Sequence, residues 1–217
     1  MQNDEKIYFK NRDVAAFRLL DVLPIDQMRL EDWTVIATSC AGVPIAQIIA
    51  KKLNSNFDML FSSKIMAPNN EKCEIAIVTE TEEVVIHEEL AKSFEISLDF
   101  IFSKSKKLYE DELLEKIKLY RTNDKLDSLI NKNVLLVDEG LNTGLTMMAC
   151  IKTAINLGAR SVSVATPILP SASVPTIESI ADDLYFVKSL DHFVTIEFYY
   201  EELKNIEFKD IEKLIKG

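Results

Sequence analysis

Residues Asn133 to Val137, NVLLV, put four apolar side chains in a row with no polar alternation, and two adjacent acids and a glycine follow. An uninterrupted run of this length predicts a strand covered on both faces, which belongs inside a sheet with helices above and below it. The strand delivers Asp138 and Glu139 to a tight turn through Gly140. Thr143-Gly144-Leu145-Thr146 then opens a helix running to about Leu157.

The rest of the chain alternates in the same way. Helical spacing predicts Arg12 to Leu23, ended by Pro24, and Val43 to Leu53 with Pro44 near its start. Short apolar runs predict strands at Trp33 to Thr38, Phe57 to Phe61, Ser161 to Thr166, Leu184 to Val187 and Phe193 to Phe198. Glu74 to Thr79 and Glu83 to Ile86 read as a strand pair after a loop at Pro68-Asn69-Asn70. His87 to Phe94 and the charged stretch Leu98 to Tyr120 read as helices, as do Val174 to Ala181 and a tail from Lys209 to Lys216. Arg121 is expected to complement a helix dipole, with reach to a phosphate as the alternative. The pattern predicts an α/β fold, a mostly parallel sheet flanked by helices and Rossmann-like, in one domain over residues 1–217. Residues 87–125 interrupt the alternation and are expected to form an inserted helical flap.

Composition removes several classes of function. The 217 residues carry 25 Lys plus Arg against 35 Asp plus Glu, a net charge of −10, which is the wrong sign for a chain that neutralises nucleic-acid phosphates. No nucleic-acid partner is expected. No run approaches the roughly 18 apolar residues of a membrane span, and Met1 to Lys10 has no apolar leader core, so a cytoplasmic protein without a membrane partner is expected. Cys40, Cys73 and Cys150 are scattered and suggest neither a disulfide framework nor a zinc site. His87 reads as a helix start, and a lone His192 as structural.

Only five glycines occur, at 42, 140, 144, 158 and 217. Gly158 reads as a helix cap, while Gly42, Gly140 and Gly144 fall at two strand-to-helix junctions, where α/β chemistry concentrates. At the second junction Asp138 and Glu139 offer carboxylates. The free amides and positive dipole end of the next helix, with the Thr143 and Thr146 hydroxyls, offer an anion cradle. That pair suits a ribose 5-phosphate, diol to the acids and phosphate to the amides. The spacing fits neither G-x-x-x-x-G-K-[ST] nor G-x-G-x-x-G. A turn whose acids merely cap the helix is the alternative. A nucleophilic Cys40 just before a helix has no evident base partner.

Val134 to Thr146, VLLVDEGLNTGLT, resembles the phosphoribosyl pyrophosphate motif of type I phosphoribosyltransferases. Residues 12 to 203 resemble a bacterial branch of that family with a P-R-G-G-V-P loop after strand one and an R-K-I-x-A-P segment after strand two. The corresponding stretches here are Ser39-Cys40-Ala41-Gly42-Val43-Pro44 and Ser63-Lys64-Ile65-Met66-Ala67-Pro68. The resemblance implies that Asp138 and Glu139 hold the ribose hydroxyls, directly or through Mg²⁺. It implies that Gly140 and Asn142 to Thr146 (Asn142, Thr143, Gly144, Leu145, Thr146) bind the 5-phosphate, that Ser39, Cys40, Ala41 and Gly42 form the pyrophosphate loop, and that Lys64 neutralises pyrophosphate charge. Lys64 to about Glu80 would be a mobile loop closing over the site. Phe193, with Val194, is placed like the base-stacking aromatic of purine-handling relatives, with core packing as the alternative. The implied reaction displaces pyrophosphate at the anomeric carbon, using phosphoribosyl pyrophosphate and an acceptor base. A homodimer is expected because the fold commonly pairs. Three positions depart from the pattern: Cys40 replaces an arginine, Ala41 a glycine, and Asn142 an aspartate that acts as base in some purine transferases. A non-catalytic sensor of phosphoribosyl pyrophosphate or a nucleotide is therefore the second reading.

Overall fold

The computed structural model describes residues 8–68, 70–121 and 126–215. The main sheet holds β1 (Trp33–Ala37), β2 (Asn56–Met59), β6 (Asn133–Val137), β7 (Ser161–Pro170) and β8 (Asp183–Leu190), all parallel in the order β2-β1-β6-β7-β8. A second, three-stranded antiparallel sheet holds β3 (Ser62–Ala67), β4 (Asn70–Thr79) and β5 (Val84–Ile86), in that order.

Every residue of β1 and β6 is buried, as the apolar runs require. Successive side chains point to opposite faces, so Val35, Ala37, Leu135 and Val137 join one core cluster, and Ile36, Val134 and Leu136 join the other. The first cluster is covered by α1 (Arg12–Leu20) and α3 (Val43–Leu53), through Leu19, Ile45 and Ile49. The second is covered by α7 (Leu145–Asn156) and α8 (Val174–Glu178), through Met147, Ile151 and Ile177. The fold is α/β with a parallel sheet flanked by helices, as expected. Short α2 (Ile25–Met28) follows Pro24, and α9 (Phe208–Ile215) closes the described chain.

Between β5 and β6 come α4 (Glu88–Ser93), α5 (Leu98–Leu108) and α6 (Leu114–Tyr120), the last two joined by a π-helical turn at Tyr109–Leu113. These helices do not stand apart. Ala91 and Ile101 pack on Ile65 and Ile75 of the small sheet, while Leu113, Ile117 and Tyr120 enter the main core. The part of the expected flap at 122–125 lies outside the described residues, as do Asn69 of the expected loop and Lys216 of the expected tail helix.

Four local expectations differ from the structure. Lys64 to Ala67, expected to open a loop, lie in β3, which pairs antiparallel with β4 as a hairpin. Alternation here mixes Ser63 inward with Lys64 outward, so the run is not apolar enough to stand out. The strand expected at Phe193 to Phe198 is an irregular segment leading to a 3₁₀ turn at Ile196–Tyr199, and its β-formers pack one by one instead of joining a ladder. β7 and β8 run past their expected ends, pairing as far as Pro170 and Leu190. Arg121 does not serve a helix dipole: its buried guanidinium pairs with Glu80 and Asp58 and holds the end of α6 to β2 and β4.

Candidate active site

The order β2-β1-β6 places a topological switch between β1 and β6, because β1 is followed outward by β2 and β6 by β7 on the other side. In such sheets the crevice outside the strand ends is where ligands sit. The register fixes what meets there. Ala37 lies beside Val137, so Thr38 and Asp138 leave the sheet together.

Asp138 is held from three directions. Thr38 Oγ1 donates to its Oδ2 at 2.8 Å, Ser39 Oγ lies 2.5 Å from its Oδ1, and the Glu139 amide donates to the same Oδ1 at 3.0 Å. Ser39 Oγ also lies 3.1 Å from Glu139 Oε2 and accepts from the Gly42 amide at 3.0 Å. The loop after β1 and the acids after β6 therefore form one hydrogen-bonded unit.

Gly42 is required by this closeness and not by its φ of −77°. A Cβ there would stand 2.9 Å from Asp138 Oδ1 and 3.0 Å from both Asp138 Cα and the Val137 carbonyl oxygen. Two of those atoms are backbone and cannot swing away, so Gly42→Ala should cost about 1–3 kcal/mol, read by chemical denaturation, and should push Asp138 out of register. Gly144 has a different reason, a left-handed φ of +77°, since a Cβ there would meet nothing nearer than Ile177 Cδ1 at 3.5 Å.

Burial and the neighbouring Asp138 charge push the Glu139 carboxyl well above the usual carboxylate range. Its backbone is pinned by Tyr200, whose hydroxyl donates to the Glu139 carbonyl oxygen at 2.7 Å. Burial in turn raises the Tyr200 phenol, which stays a donor. Arg12, at the start of α1, donates from Nε to the Ala41 carbonyl oxygen at 2.9 Å and from Nη1 to that of Lys204 at 2.8 Å. This buried cation braces the loop from behind.

The cleft beyond these groups has a volume of about 610 Å³. Asn142, Thr143, Gly144 and Thr146 line one wall, and among the described residues no protein acceptor takes their amides. Leu145 N–H donates to Thr143 Oγ1 at 3.3 Å, and α7 starts there with its orphan donors facing the cleft. The opposite wall is the β3–β4 hairpin, carrying Lys64, Met66, Lys72 and Glu74. Lys64 Nζ sits 2.8 Å from Glu74 Oε2, so its charge is matched across the hairpin.

Of the residues singled out from sequence, Ser39, Cys40, Asp138, Glu139, Gly140, Asn142 to Thr146 and Lys64 share this cleft, with Ala41 and Gly42 in the loop at its edge. Phe193 and Val194 do not line it. Phe193 packs on Tyr199 at 5.2 Å between ring centroids, Val194 is exposed, and that stretch reaches the cleft through Ile196 and Glu197. Ile196 seals the turn, leaving only 2.9 Å for a Cβ on Gly140. Thr38, Arg12 and Tyr200 escaped sequence reading. Thr38 alone carried a signal, as the residue leaving β1 beside the acid strand.

Burial pushes the Cys40 thiol up to about 11, against the opposing pull of Lys116, which disfavours the thiolate a nucleophile needs. His87 caps α4, its Nδ1 3.4 Å from the Leu90 amide, and His192 is exposed. Among the described residues no cluster of three or more His, Cys, Asp or Glu is arranged as a metal centre. Asp138 and Glu139 fit a hard divalent cation only when the ligand supplies further oxygens, and a cation there would offset the crowding that raises Glu139. Among the described residues no helix is long and apolar enough to cross a membrane.

A crystal structure of a protein from Thermus thermophilus superposes with a TM-score of 0.75 at 21% identity, covering 96% of this chain and 98% of that one, a likeness of fold. Two Mycobacterium tuberculosis proteins, from strains H37Rv and CDC 1551 and provisionally named phosphoribosyl transferases, are each 25% identical over 150 residues. That stretch is 69% of this chain and 34% of theirs, so the chain spans about a third of the length of these relatives. Residues 2–202 match the phosphoribosyl transferase domain family, and the chain belongs to that family.

Proposed function

We propose that the protein transfers the 5-phosphoribosyl group of phosphoribosyl pyrophosphate to a nitrogen acceptor such as a nucleobase. The observation that carries this is the joining of the Ser39–Gly42 loop to Asp138 and Glu139 directly beside the open amides of Asn142 to Thr146. The amides and hydroxyls take the 5-phosphate, the acids take the 2- and 3-hydroxyls, and the pyrophosphate faces the loop. The bond from the anomeric carbon to the pyrophosphate oxygen breaks with its electron pair leaving on pyrophosphate. The acceptor nitrogen forms the new bond and loses its proton to solvent. Fixed donors and a closed cleft favour the charge-separated transition state by positioning and electrostatics.

Asp138 and Glu139 would hold Mg²⁺ together with substrate oxygens, and the ion when bound supplies positive charge to the diol and pyrophosphate. Chelation with EDTA should weaken phosphoribosyl pyrophosphate binding by more than tenfold in calorimetry, while the melting temperature of the ligand-free protein stays constant. A reduced cytoplasmic setting accords with the three free thiols.

The test is calorimetric binding of phosphoribosyl pyrophosphate, followed by pyrophosphate release across a panel of nucleobases. No binding overturns the proposal. A second reading, a non-catalytic sensor of the same ligand, is favoured by the protonated, uncharged Cys40 in the loop and by Asn142, whose amide cannot accept a proton as a base would. Saturable binding with no release across the panel selects it.

A further inference from the structure

A pyrophosphate in this cleft meets two acids and a loop, Ser39 to Gly42, that carries no cation of its own. Lys64 is matched by Glu74, and Arg12 spends its Nε and Nη1 donors on the carbonyls behind the loop. A further positive charge stands on the loop side. Lys116, on α6, holds its Nζ 4.7 Å from the centroid of Phe208, and Phe208 lines the cleft together with Cys40. The ammonium is only loosely engaged: Glu112 lies 3.7 Å away one turn earlier, 48% exposed, and also accepts from Ser63 Oγ at 3.2 Å. Such a half-exposed i,i+4 pair is weak and does not hold a lysine against a multiply charged anion. The Lys116 charge also pulls the Cys40 thiol down against its burial, the largest effect of any charged group on that thiol.

Resting on the function proposed above, we propose that Lys116 supplies the loop's missing cation and binds the pyrophosphate group of the substrate from the inserted helix. Its four-carbon stem gives the reach, and Phe208 holds the resting ammonium over an aromatic face.

The test compares wild type, Lys116→Met and Lys116→Arg by calorimetry with phosphoribosyl pyrophosphate, inorganic pyrophosphate and ribose 5-phosphate, all with Mg²⁺. The methionine variant should lose at least tenfold affinity for the first two and none for ribose 5-phosphate, and arginine should restore most of the loss. In a Cys73→Ser background, iodoacetamide should also alkylate Cys40 several-fold more slowly at pH 9 in the methionine variant, because the charge favouring the thiolate is gone. Unchanged pyrophosphate affinity in Lys116→Met, or an equal loss for all three ligands, overturns the assignment while leaving the function standing. A wild type that binds neither phosphoribosyl pyrophosphate nor ribose 5-phosphate overturns the function itself, and the lysine's role with it.

Discussion

Arg121→Met is expected to destabilise the protein by about 3–5 kcal/mol, because it leaves the buried Glu80 and the half-buried Asp58 without their cation. The Glu80 side chain is 3% exposed and that of Arg121 8%. One guanidinium nitrogen lies 3.0 Å from Glu80 Oε1 and 3.4 Å from Asp58 Oδ1, the other pairs with Glu80 Oε2, and the group stacks 4.8 Å from the Phe61 ring centroid. In a chain of this length such a loss lowers Tm by about 10 °C. Adding Glu80→Gln to the variant should recover part of it, and failure to do so would mean the loss is one of packing alone. The pH dependence has a definite sign. Burial raises Glu80 and Asp58 above their ordinary 4.5 and 3.8 even with Arg121 pulling the other way. A carboxyl with a raised folded-state pKa binds its proton more tightly folded than unfolded, so its contribution is greatest at low pH and is lost as pH climbs through the folded value. Removing the guanidinium lifts both groups further. The deficit of the variant should therefore widen from pH 5 to pH 8 in denaturant titrations.

Glu139→Gln should move stability and binding in opposite directions. The wild-type carboxyl is raised by burial and by Asp138, so ionising it near neutral pH works against the fold. The amide removes that charge and should add about 0.5–2 kcal/mol, a gain that grows from pH 5 to pH 8 by the same sign argument. Under the function proposed above it also removes a charged acceptor for a ribose hydroxyl, worth about 1.5–3 kcal/mol, so phosphoribosyl pyrophosphate should bind roughly 10- to 150-fold more weakly. A variant that is more stable and binds normally would separate Glu139 from the ligand.

Much of the frame could be read in advance because it rests on two-sided burial. NVLLV and WTVIAT are unbroken apolar runs, and Val43 to Leu53 has helical spacing; all three elements form where expected. The small sheet was harder to see. β3 mixes Ser63 and Lys64 into its alternation because it faces a cleft on one side, and a cleft wall has no single polarity. Phe193 to Phe198 misled for the opposite reason: strand-forming residues there meet a tight turn, where Ile196 is claimed by Gly140 and Phe193 by Tyr199. Arg12, Arg121 and Lys116 were unreadable as a class. A cation's role depends on which carbonyl, carboxylate or ring the fold brings to it, and those partners lie 29, 41 and 92 positions away.

The contact between Gly42 and Asp138 restricts how this chain can vary. The two positions belong to different strand ends, yet any side chain gained at one collides with the backbone at the other. Neighbouring Ala41 and Cys40 are half-buried, and Cys40 packs on the main core through its side chain and not against another strand's backbone. Position 42 is thus held to glycine by the backbone at the end of another strand, a limit that no exchange at 40 or 41 relieves.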